Sequence, residues 1–188
     1  MTGKRTSPGA RAGFFRLAQL FHKDKRGLAA IEFALIASFL SVAVLNVTDV
    51  AVFLFDELQV NNATQMGAQA AWATCDLNHV PATTKCPNMN TAVTAAVQST
   101  PLGTAVTLQS GSPAEGYYCV GAGGAMQYMS SYSSPPTDCS AAGSNTAVKP
   151  GDYVQVQTTY TYAPIFPGLS VASVFPTSIT ATSYARLI

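Results

Sequence analysis

Charge is scarce in this chain of 188 residues, at 10% Asp, Glu, Lys and Arg, where soluble domains usually carry about 25%. Histidine occurs twice and tryptophan once. There is no Gly-x-Ser-x-Gly elbow for a nucleophilic serine, and Gly121-Ala-Gly-Gly124 lacks the lysine and the following helix of a phosphate loop, so it reads as a flexible loop. Asp56 and Glu57 are consecutive and diverge on a helix, which argues against an acid–base carboxylate pair. His22 sits in a basic N-terminal segment, and His79 has no evident nucleophile partner. These absences leave no catalytic constellation in the sequence, and no cofactor is expected.

The sparse charges are also unevenly placed. Residues 1–27 hold seven of the ten Lys and Arg against one acid, Asp24. The remainder has Lys85, Lys149 and Arg186 against eight acids, a balance of about −5. A cationic arm for nucleic acid is one meaning of such a segment, but no second nucleic-acid face exists. The segment instead abuts a long apolar run from Leu28 to Phe55, broken only by Glu32 and the polar patch Asn46, Thr48 and Asp49. Roughly 20 apolar residues cross a bilayer core. A basic flank before a single span places the N-terminus in the cytoplasm. An ordinary secretory signal is rejected, because its apolar core is shorter, about 7–15 residues. Phe14–Leu20 is mildly amphipathic and suits a membrane surface. The polar patch either marks the outer end of the span or lets Asp49 pair with a partner helix in lipid.

Glu32 is the anomaly, since a carboxylate within a span is costly and points to function. A cut after Gly27 would make Leu28 a new α-ammonium and Glu32 the fifth residue. Positions i and i+4 share a helix face, so each charge would offset the other's desolvation. Arg26-Gly-Leu-Ala-Ala-Ile-Glu-Phe-Ala-Leu-Ile36 resembles the processing site of type IV pilin-like proteins, most closely the TadE-like minor pilins (pseudopilins) of the tight-adherence, or Flp, pilus. The resemblance implies that a prepilin peptidase cuts after Gly27, that Leu28 becomes the N-terminus, and that Glu32 and Phe33 serve processing or assembly. Gln65-Met-Gly-Ala-Gln69 stands where that family usually has Arg-x-Gly-Ala-Arg, and the family's frequent mid-span proline is missing.

The expected fold is α+β and pilin-like. It comprises a basic leader over residues 1–27, a transmembrane and extended helix over about 28–73, and an exported domain over 74–188. Leu58, Met66, Ala70 and Ala73 are the stripe expected to pack on that domain. Cys75–Pro87 reads as a loop and Met89–Ser99 as a helix stopped by Pro101. Ala105–Gln109 and Glu115–Val120 read as short strands. Residues 121–149, rich in Gly, Ser and Pro, read as an irregular excursion. Asp152–Tyr162 alternates, with Val154, Val156, Thr158, Tyr160 and Tyr162 on one face, and predicts the best strand. Ser178–Arg186 predicts a closing strand. A strand ending Tyr-x-Tyr, a proline-containing crossover and a last strand with a late Arg also resemble the TadE-like group.

Cys75, Cys86, Cys119 and Cys139 all follow the span. An even count in an exported domain reads as disulfides. Three pairings are open, and the adjacent one, which closes two loops, is the expectation. Cys75, His79 and Cys86 as zinc ligands fit no recognised spacing.

The resemblance implies a structural, non-catalytic role in assembling an adhesive pilus. It also implies partners: the prepilin peptidase, other pilins and pseudopilins of that system, the inner-membrane assembly platform and the lipid bilayer, with no nucleic acid. The domain would be periplasmic, or carried to the surface in the pilus. An uncut, permanently anchored binding or adhesin protein is the alternative. Because glycine alone allows close backbone approach at the scissile bond, Gly27→Leu is expected to leave a membrane-bound precursor 27 residues longer, visible by intact mass. Cutting as efficient as in the parent would refute prepilin processing.

Overall fold

The computed structural model describes residues 25–75, 80–143 and 148–187. Most of the leader, with Phe14–Leu20 and His22, and also His79, lie outside the described residues. The chain divides into two compact units, Met1–Val47 and Thr48–Ile188. Helix α1 spans Lys25–Thr74 and contributes to both.

In the first unit the helix is apolar on every side. Leu28, Ile31, Phe33, Leu35, Ile36, Phe39 and Leu40 are all exposed. Its hydroxyls are turned inward to the backbone: Ser38 and Ser41 donate to the carbonyls of Ala34 and Ala37 at 2.6 and 2.7 Å. Such back-bonding keeps a polar group satisfied where no water is at hand. Among the described residues this is the one helix long and apolar enough to cross a bilayer, with a stretch of mean hydropathy 2.3 that is wholly unburied.

The second unit is α+β. After α1 come α2 (Ala82–Lys85) and α3 (Met89–Val97), then β1 (Val106–Leu108), β2 (Ala114–Val120), β3 (Met126–Ser130), β4 (Gly151–Thr161) and β5 (Ser178–Arg186). All pairings are antiparallel. One edge of β4 holds β5 along its length; the other is shared by β2 and β1, and β3 borders β2. The alternation in β4 is as expected: Val154, Val156 and Thr158 are fully buried, Tyr162 nearly so, and Tyr160 half-buried.

Three expectations are corrected. Cys75–Pro87 contains the one-turn helix α2. The 121–149 excursion contains β3, because Gly121–Gly124 is a tight hairpin turn and not a flexible loop. Gly124 takes φ +80°, its amide bonds Gly121 O at 2.9 Å, and Gly121 N closes on Ala125 O at 2.9 Å. A left-handed turn residue is where glycine is favoured.

The third correction concerns the packed stripe of α1. Leu58 and Met66 are exposed at 63% and 42%, and Ala73 is exposed too. The buried line is instead Asp49, Asp56, Val60, Ala63, Thr64, Gly67, Ala68 and Ala71, at alternating three- and four-residue spacing. Backbone approach, not side-chain size, selected it. A Cβ on Gly67 would stand 2.7 Å from Val97 Cγ2 and 3.3 Å from Val156 Cγ1. Thr64 gives its proton to Val60 O (2.6 Å) and so accepts from Thr158 at 2.5 Å, tying helix to sheet.

Gly67 is therefore a packing requirement. An alanine gains about 1 kcal/mol of helix propensity over glycine, but overfilling a core costs about 1–3 kcal/mol. Gly67→Val adds bulk without that helical gain. It is expected to destabilise by about 2–3 kcal/mol, lowering the thermal midpoint by roughly 5–10 °C in detergent-solubilised protein followed by circular dichroism.

Candidate functional site

Gly27, Leu28, Glu32 and Phe33 all lie in the first turns of α1. A Cβ on Gly27 would meet nothing within 4 Å. Leu28 and Phe33 are exposed at 62% and 73%, and Glu32 is exposed as well. Helical geometry sets Leu28 and Glu32 one turn apart on the same side. The helix here presents a continuous apolar surface, from Leu28 to Val44, with one carboxylate on it. Such a surface can enter lipid or pack against other apolar helices, the carboxylate asking for a cation close by.

Asp49 has a role that neither expectation for it foresaw. It is fully buried, and its two oxygens accept the amides of Ile165 (3.0 Å) and Phe166 (3.2 Å). Tyr162 donates its hydroxyl to the Asp49 carbonyl at 3.2 Å. Phe53 packs edge-on to Tyr162, with centroids 5.0 Å apart, and lies 4.8 Å from Phe175. The acid thus fixes the β4–β5 crossover to α1. A polar patch in an apolar run signals something at that position, but the partner is 116 residues away. Two turns on, Asp56 accepts a hydrogen bond from the Tyr160 phenol.

The cysteines pair as Cys75–Cys86 and Cys119–Cys139. Cys75 and Cys86 are consumed by each other and cannot hold zinc. Among the described residues no group of three His, Cys, Asp or Glu side chains gathers to hold a metal ion. The first bridge closes the segment carrying α2; the second joins β2 to the turn at Ser140–Ala142, where Asp138 accepts from the Ser140 amide and hydroxyl at 2.9 and 2.6 Å.

A tyrosine cluster on the outer sheet face was not anticipated. Tyr118 is nearly buried among Tyr128, Tyr153 and Tyr184, at centroid distances of 5.5, 6.2 and 5.2 Å. Tyr118 donates to Gln155 Oε1 (3.2 Å), and Gln155 Nε2 donates to Tyr184 Oη (3.0 Å). Burial, then Tyr184 and Tyr128, push the Tyr118 phenol up to about 12. Gly116 makes the room, since a Cβ there would be 2.7 Å from Tyr128 Cε2 and 2.8 Å from Ser130 O. The signal was the period of two itself: when Val154 and Val156 face one side, Tyr153 and Gln155 face the other.

Comparison with protein-family models, with curated proteins and with solved structures returns no match.

Asp49→Ala strips two amides of their acceptor, each bond to a charged group being worth about 1.5–3 kcal/mol. A loss of about 3 kcal/mol is expected from chemical unfolding. Asp49→Asn keeps one carbonyl acceptor and should lose about half as much. Equal midpoints for parent and Asp49→Ala would show that the crossover needs no anchor.

Proposed function

We propose that this chain is a non-enzymatic, TadE-like minor pilin (pseudopilin) that takes part in assembling a tight-adherence pilus. The observation that carries the reading is Gly27-Leu28, with Glu32-Phe33 one turn on, at the head of an apolar helix that follows a basic segment. On this reading a prepilin peptidase removes residues 1–27. The helix then holds the protein in the bacterial inner membrane, with the disulfide-bonded domain in the periplasm or carried out with the pilus. Its partners are the other pilins and pseudopilins and the membrane assembly platform.

The chemistry of Glu32 supplies the mechanism. A charge at mid-bilayer costs roughly 2.5–3.5 kcal/mol on insertion scales, and less near an end. The Leu28 α-ammonium, its own or that of an adjoining subunit, offsets the cost. Removing one member of a buried pair strands the other, so the carboxylate selects for correct docking and not for insertion.

The first test is the intact mass of protein extracted from membranes. A mature chain beginning at Leu28 supports the reading, whereas an intact Met1 means an uncut, permanently anchored protein. The second is Glu32→Gln, which keeps shape and loses charge. It should accumulate in the inner membrane while piliation falls about tenfold or more, equivalent to roughly 1.4 kcal/mol. Normal piliation would show that the charge is not used.

A further inference from the structure

Asp152 and Glu115 stand on paired strands and face the same side of the sheet. Asp152 lies opposite Tyr117 and Glu115 opposite Val154, making the two acids diagonal neighbours on the inner face. Asp152 is 2% exposed, and neither of its oxygens accepts a hydrogen bond; the buried Oε1 of Glu115 also accepts none. Glu115 Oε2, by contrast, accepts the Thr83 amide at 3.0 Å and its hydroxyl at 3.2 Å. Thr83 belongs to α2, within the segment closed by Cys75–Cys86.

A buried carboxylate without donors is not stable as an anion. Two carboxylates sharing a site resolve this by keeping one proton between them. We infer that Asp152 and Glu115 form a proton-sharing carboxyl–carboxylate pair, and that this proton gates the docking of α2 on β2. The proton comes from solvent onto Asp152, and the resulting hydroxyl donates to Glu115 Oε1, satisfying two of the three orphaned oxygens. Glu115 Oε2 goes on accepting from Thr83. When Asp152 loses the proton, its two oxygens and Glu115 Oε1 face each other with no donor between them. Glu115, the less buried of the two, turns to water and releases Thr83.

Among the described residues no cation is placed at the pair by the sheet register or by burial. From β2, Tyr117 faces it, its phenol pushed up by burial first and then by Asp152, Tyr132 and Glu115. Arg186 lies opposite Tyr153 and so on the outer face. Lys85 on α2 is exposed. Leu187, whose amide bonds the Asp152 carbonyl at 2.9 Å, is apolar, and α1 carries no ionisable side chain from Gln59 to Thr74. Burial, then the Glu115 charge, pushes the Asp152 carboxyl up to about 6. A raised acid contributes stability that is full below the ordinary carboxylate range, near 4, and is lost as pH rises through 6.

The test is amide hydrogen exchange of the full chain in detergent micelles, read on the peptide containing Thr83 and corrected for the intrinsic pH dependence. Protection of that peptide should fall about tenfold or more from pH 5 to pH 8. In Asp152→Asn, a neutral isostere, it should stay level. Equal pH profiles in parent and variant would overturn the proposal. Should Asp152→Asn fail to fold, the carboxyl carbon shift of Asp152 in labelled parent protein decides the matter: a midpoint near 6 supports the pair and one near 4 refutes it. Millimolar calcium chloride restoring protection to the parent at pH 8, with chelator reversing it, would also overturn the shared proton and establish a cation site.

Discussion

The second unit depends on how closely the backbone of α1 lies against the sheet and α3. At Gly67 there is no room for a methyl group, and Ala63, Ala68 and Ala71 extend the same narrow seam. A seam of small residues contributes little apolar area of its own. What it does is bring Val60, Val93, Val97, Val154 and Val156 into one fully enclosed layer, and enclosed aliphatic side chains are worth about 1.5–3 kcal/mol each. It also sets the distance at which the hydroxyls of Thr64 and Thr158 meet. Larger residues on that face would separate the layers and lose both.

That close interface forces its polar groups into separate solutions. Asp49 is satisfied by two backbone amides and Asp56 by a phenol. Asp152, at the start of β4, has no donor at all. Three buried acids, two on α1 and one on β4, thus span the range from fully met to unmet.

Elements whose signal is local could be read from the chain. The apolar run, the alternation of β4, the span of β5 and the helix before Pro101 all rest on residues near one another in sequence. The face of α1 could not be read that way. Hydropathy ranks Leu58 and Met66 above Gly67 and Ala63, yet the partner's distance, invisible in sequence, reversed the order. β3 was hidden by the Gly, Ser and Pro around it, although Gly121–Gly124 is the turn that makes its hairpin. The tyrosine cluster was the unread half of a correct alternation. Of the site residues, Glu32 stood out because it breaks a local pattern, whereas Asp152 looked like the ordinary polar start of a strand.

The crossover Pro164-Ile-Phe-Pro167 has only two amide hydrogens, since proline has none, and both go to Asp49. This places the true border of the folded domain inside the apolar run, upstream of where hydropathy would draw it. A soluble fragment trimmed at the end of that run, after Phe55, would discard the only acceptor those amides use and the ring of Phe53 that seals them. The C-terminal strand would keep its sheet pairing and the buried Ile179, Ala181 and Leu187, but the crossover leading to it would lose its anchor. The helix that leaves the domain is also what completes it.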